Sequence, residues 1–141
     1  MVLATRIMIT GGEKKEEEKI SRSDMSLISK AIIYTTQRCF EEKKEQVLVQ
    51  DVAMAMSDLA EKESIEGLRS RFKYFSLCLE AYTTGLKGDL INKASEELGD
   101  FDLLHIDFGF LQEGERYSDL LNIVCISLLS KVLAIAEMSR V

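Results

Sequence analysis

His105 and Asp107 are the residues of this sequence whose types and spacing come closest to chemistry. They stand in the heptapeptide Leu103–Gly109, LLHIDFG, where a short apolar run ends in an aspartate. A carboxylate at the end of a buried strand can hold a divalent cation against phosphate oxygens, as phosphoryl transfer requires. His105 is the single histidine of the chain, so it is the only imidazole available as a general base near neutral pH. Asp100, Asp102 and Asp107 could offer oxygen ligands to a hard cation. Strand alternation, however, puts Asp100 and Asp102 on one face and Asp107 on the other. Cys39, Cys78 and Cys125 are far apart, and the absence of C-x-x-C and H-x-x-x-H spacings excludes the common zinc patterns. No serine or cysteine elbow accompanies His105, so nucleophile–base catalysis lacks its nucleophile.

LLHIDFG resembles the magnesium-holding element of phosphatidylinositol kinases, and that resemblance implies a catalytic Asp-Arg-His-x-x-Asn loop upstream. Asp89 has a suitable spacing from Asp107, but Leu90 and Ile91 follow it, and the loop asparagine position falls on Ala94. A phosphate-clamping lysine on a strand and a glycine-rich loop are also missing. The same stretch has the form of a Walker B strand, yet Phe108 occupies the place of the catalytic glutamate. No glycine in the chain is followed by lysine, so no G-x-x-x-x-G-K-[ST] cradle exists. No catalytic, cofactor-binding or metal-binding residue is therefore assigned, and Asp107 and His105 stand only as positions to test. A magnesium-dependent activity lost on Asp107→Asn would revive the enzyme reading.

The composition fits the elements that would carry such a stretch. At 141 residues, with 46% hydrophobic and 30% charged residues, the chain has the size and balance of one globular domain. A net charge of −6 gives no support to a nucleic-acid surface. The cysteines fall in apolar-periodic segments and read as small core residues of a reduced, cytosolic protein. No secretory signal is present. The apolar region Leu120–Ala136 is interrupted by Asn122, Ser127, Ser130 and Lys131, so a buried helix is expected there and not a membrane span. Proline is absent, which suits long helices joined by short glycine-marked connections.

Val2–Thr10 has helical spacing, with Leu3, Ile7 and Thr10 on one face, and stops at Gly11-Gly12. No capping residue precedes it, so residues 1–12 read as the tail of a helix begun upstream. The charge run Glu13–Lys19 reads as a solvated mobile linker over residues 13–22. Ser21-x-x-Asp24 has the form of a capping box, and Ser23 is an alternative cap. Beyond it, Met25, Ile28, Ile32, Thr35 and Cys39 form one stripe, widened by Leu27, Ala31 and Phe40. Val47–Val49 enters the next helix as an extended segment, and Val52, Met56 and Leu59 mark that helix. Leu68, Phe72, Phe75, Leu79 and Tyr82, spaced 4, 3, 4 and 3, form a continuous apolar seam. The seam suits intramolecular packing and is also the candidate interaction seam. Arg69, Arg71 and Lys73 lie on the other side, as solvated residues or phosphate contacts. Gly85 and Gly88 break the helix. Phe101–Phe108 reads as a buried strand, and Ser118 or Asp119 caps a last helix that is apolar nearly all round and should be covered on several sides. A lone strand leaves its backbone groups without partners.

The order of these elements resembles the TraC-like conjugative transfer ATPases of type IV secretion systems. The matching stretches are RIMITGG (Arg6–Gly12), SRSDMSLISKAI (Ser21–Ile32), TGLKGDLIN (Thr84–Asn92), FDLLHIDFGFL (Phe101–Leu111) and the helix from Leu120 to Met138. The resemblance implies a mainly α fold, α+β at most. It would be a bundle-like helical insertion over residues 23–92, followed over residues 93–141 by a core strand and long helix of a RecA-like ATPase domain. It further implies that Walker A lies upstream and Walker B downstream, so that this chain is not catalytic by itself and holds no cofactor. The parent would use ATP and magnesium at the cytoplasmic face of the inner membrane. Expected partners are further copies, neighbouring ATPase subunits or secretion-system components. The alternative is a stand-alone helical protein–protein interaction module using the Leu68–Tyr82 seam or the last helix.

Overall fold

The computed structural model of the chain describes residues 1–93 and 118–138. Within them lie α1 (Val2–Thr10), α2 (Lys14–Glu17), α3 (Arg22–Glu41), α4 (Val49–Lys62), α5 (Glu66–Glu80), α6 (Gly85–Ile91) and α7 (Ser118–Met138). The fold is mainly α and bundle-like, and no strand occurs among the described residues. The expected strand at Phe101–Phe108 lies outside them.

The capping signal at Ser21 forms as its spacing requires. Ser21 Oγ accepts from the Asp24 amide at 3.1 Å, and Asp24 Oδ2 accepts from the Ser21 amide at 3.0 Å, so two otherwise orphan donors are satisfied reciprocally. From that cap α3 runs without glycine or proline to Glu41. It closes with Lys43 at φ 58°, where the Lys44 amide reaches the Cys39 carbonyl and the Lys43 amide reaches that of Phe40. This is a Schellman closure built on a lysine where glycine is usual.

Helices α4 and α5 form the closest-packed pair. Val52, Ala53, Met56, Leu59 and Ala60 of α4 share one core with Phe72, Phe75 and Leu79 of α5, which have no exposed surface. The Ser76 hydroxyl donates to the Ala53 carbonyl at 2.9 Å across this interface. Helix α3 adds Ile28, Ala31 and Ile32 to the same core. Helix α1 packs on α3, α5 and the root of α7 and ends at Gly11, whose φ of 66° is the left-handed conformation that favours glycine.

Several expectations are corrected by this packing. Leu3 is exposed, and the buried side of α1 is Thr5, Ile7, Met8, Ile9 and Thr10. Phe40 does not widen the α3 stripe: it is 84% exposed. Val49 is already the first residue of α4, leaving Val47 and Leu48 as the non-helical entry. The charge run is not a linker throughout. Lys14–Glu17 is a helical turn, and the Glu17 carboxylate accepts from Arg6 Nε at 2.6 Å and Thr10 Oγ1 at 2.9 Å. Gly88 does not break a helix but sits within α6, where a Cβ would stand 2.5 Å from the Thr83 carbonyl carbon.

Candidate functional site

Asp107 and His105 lie outside the described residues. Of the candidate seam, Phe72, Phe75 and Leu79 have no exposed surface, Tyr82 is 3% exposed, and Leu68 is partly buried. The seam is thus turned inward against α1 and α4, as intramolecular packing requires, and its apolar area is covered within the chain. Two of the three basic residues behind it, Arg69 and Arg71, are likewise committed. Arg71 forks onto Asp24, with Nε on Oδ1 and an Nη on Oδ2, both at 3.0 Å. Its guanidinium also lies 4.8 Å from the Phe75 ring centroid. Arg69 donates to the Glu63 carbonyl at 3.0 and 2.7 Å. Burial alone would push the Asp24 carboxyl upward. The hydrogen bonds from Arg71 and from the Ser21 amide and hydroxyl outweigh that and hold it below the usual aspartate value. The same side chain thus caps α3 and ties it to α5.

The second buried carboxylate, Asp119, is 3% exposed in the first turn of α7. Its Oδ2 accepts from the Tyr82 hydroxyl at the end of α5 and from Lys87 Nζ of α6, the latter at 2.8 Å. Its Oδ1 accepts from the Leu120 amide at 2.9 Å. The Lys87 ammonium also lies 4.9 Å from the Tyr82 ring centroid. Burial raises the Asp119 carboxyl, but the bonds from Lys87, Tyr82 and Leu120 outweigh it and leave it depressed. The Tyr82 phenol moves the opposite way, raised first by burial and then by Asp119. Both directions describe one arrangement, in which the proton stays on the phenol and the charge on the carboxylate. These groups border an open cleft of about 800 Å³ that also takes in Met8, Thr10, Tyr74 and Cys78. Its central polar groups, Tyr82, Lys87 and Asp119, are bonded to one another.

The cysteines divide. Cys39 is buried, Cys78 half-buried and Cys125 exposed, so the expectation of three core thiols holds for Cys39 and is corrected for Cys125. Burial pushes the thiols of Cys39 and Cys78 up, away from the thiolate form that reacts or binds metal. Among the described residues no group of three histidine, cysteine or carboxylate side chains is placed to hold a metal ion.

The most distinctive surface is α7. Its buried described side chains are Asp119, Leu120 and Ile123, all in the first two turns. Leu129, Val132 and Leu133 are 60%, 43% and 55% exposed. The expectation of a helix covered on several sides is therefore corrected for its C-terminal part. Leu129 follows Leu120 by two and a half turns at about 3.6 residues per turn, so it faces away from the docked side. Val132 and Leu133 share its face at i+3 and i+4. The span Asp119–Glu137 is also long and apolar enough, by length and composition, to cross a membrane.

Spacing could not have revealed the Asp24–Arg71 and Asp119–Tyr82–Lys87 links, whose partners are distant in sequence. The usable signal was only an acid at each helix start.

Comparison with protein families, with curated proteins and with solved structures finds no match for this chain.

Proposed function

We propose that the chain is a helical protein–protein interaction module that associates through α7, with a second copy as its first partner. The observation that carries this reading is the exposed stripe of Leu129, Val132 and Leu133, directed away from the bundle that holds the helix root. Apolar surface is worth about 25 cal/mol per Å² when removed from water, and a second copy offers an identical stripe with which to remove it. A spanning role is disfavoured by the root: Asp119, Leu120 and Ile123 are held in the bundle. The remainder, Val124–Glu137, would extend about 21 Å at 1.5 Å per residue, short of a hydrocarbon core of about 30 Å.

Sedimentation velocity over a rising concentration series tests the reading. Association that is lost in a Leu129→Glu/Leu133→Glu variant is the expected result. A protein that stays monomeric throughout, or that floats with phosphatidylcholine vesicles through α7, would contradict it.

A second reading, distinct from a stand-alone module, is the helical insertion of a conjugative transfer ATPase. It rests on the collinear order of the sequence motifs, from the glycine-ended first helix through the capped helix and hairpin to TGLKGDLIN. In that form α7 would meet a neighbouring motor subunit, and this chain would neither bind nor hydrolyse ATP. Calorimetry with ATP and magnesium checks it: the expected result is no binding, and P-loop-like affinity would overturn it.

A further inference from the structure

Asp119 is the point at which four parts of the molecule meet. Its carboxylate takes the Tyr82 hydroxyl from the end of α5 and the Lys87 ammonium from α6. Its Cα lies 3.5 Å from where a Cβ on Gly12 would stand, in the turn that ends α1. Behind it, among the described residues, Leu120 and Ile123 are buried in the core and Leu121, Val124 and Ile126 pack partly buried against it, whereas the cores of α3, α4 and α5 pack against one another. We propose that Asp119 is a latch: it holds the root of α7 in the notch between the α1 glycine turn and the α5–α6 corner, and its release frees α7 as one arm while α3–α5 stay folded.

The physical basis is the contrast between a polar anchor and the small apolar area that backs it. A buried ion pair contributes little net stability while both partners are present, because desolvation offsets attraction. It becomes costly as soon as one partner is withdrawn. The docked position of α7 therefore depends steeply on both donors, with Leu120 and Ile123 as its fully buried apolar side chains among the described residues. An element attached this way opens locally, below the free energy of global unfolding. Anything that covers the Leu129 stripe better in the released position would shift the arm towards it, by population shift and without a new fold. The latch concerns the chain alone and does not depend on which partner α7 meets.

Amide hydrogen exchange on the dilute full chain tests it, comparing the natural sequence with Asp119→Asn and, independently, with Tyr82→Phe/Lys87→Met. The expected result in both variants is exchange of the α7 amides at least about tenfold faster, with the α4 and α5 amides changed by less than about twofold. Three results would overturn the latch. One is α7 amides that exchange like an unprotected peptide in the natural chain. Another is α7 protection unaltered in both variants. The third is faster exchange spread equally over α3–α5, which would make Asp119 an ordinary contributor to global stability.

Discussion

Helices α5 and α7 each carry a long apolar set, yet they meet water in opposite ways. In α5 the set is a single seam, and its members Phe72, Phe75 and Leu79 are covered by α1 and α4, with Leu77 exposed on the opposite side. In α7 apolar residues occur around the helix; Leu120 and Ile123 are buried, Leu121, Val124 and Ile126 are partly covered by the core, and Leu129 and Leu133 stay more than half exposed. A seam can be matched by one or two neighbouring helices, whereas a helix apolar all round needs more neighbours than the described part of this bundle supplies. The first helix explains why the domain holds together, and the second why it would seek a partner.

The sharpest way to break this contrast is to truncate one side chain from each helix. Phe75→Ala should cost about 3–5 kcal/mol, because a fully buried ring leaves a cavity between α4 and α5. Leu133→Ala should alter the stability of the dilute protein by less than about 0.5 kcal/mol. Urea unfolding followed by far-ultraviolet circular dichroism measures both, and similar losses from the two changes would erase the distinction.

A smaller effect is expected from the polar link that closes the bundle. Arg71→Met removes the fork on Asp24, whose side chain is only 8% exposed, and should cost about 1–3 kcal/mol. Asp24 keeps its Ser21 contacts in that variant, which limits the loss. A double-mutant cycle with Asp24→Asn should show coupling between the two positions, and strict additivity would mean that the pair contributes nothing as a pair.

Acid should act on both regions, and by sign in one direction. Asp24 and Asp51 in the bundle and Asp119 at the root of α7 all have carboxyls depressed in the folded state. The unfolded carboxyls take up protons near pH of about 3.9, so in that range the unfolded state binds more protons than the folded one. The stabilisation is complete above that pH and is lost as the pH falls through the folded values. Because less apolar packing backs Asp119 than Asp24, exchange protection in α7 should decline at a higher pH than the helical signal of the bundle. A coincident loss would show that the two regions are one cooperative unit.

The comparison also shows what residue order could and could not convey. The Ser21–Asp24 box, the Ile28, Ile32, Thr35, Cys39 stripe and the α5 seam were legible because each is a local pattern whose geometry follows from the helix period. Spacing says which residues share a face but not what lies opposite. Spacing therefore puts Phe40 with the core although it is exposed, and predicts a covered α7 although most of that helix is not. The ties from Arg71 to Asp24 and from Asp119 to Tyr82 and Lys87 join residues that only the fold brings together. An acid at a helix start announced a cap, and nothing in the sequence announced that the same carboxylate would join other helices. The low helix propensity of glycine marks Gly88 as a breaker; its real constraint is the Thr83 backbone pressed against it.

The most direct test of a self-sufficient bundle carrying a separate associating helix is hydrogen exchange on the full chain at low and high protein concentration. The account predicts that protection of α7 amides from Val124 onward rises with concentration while protection in α3, α4 and α5 stays constant. Protection that is independent of concentration throughout α7, or that rises equally in α5, would contradict it.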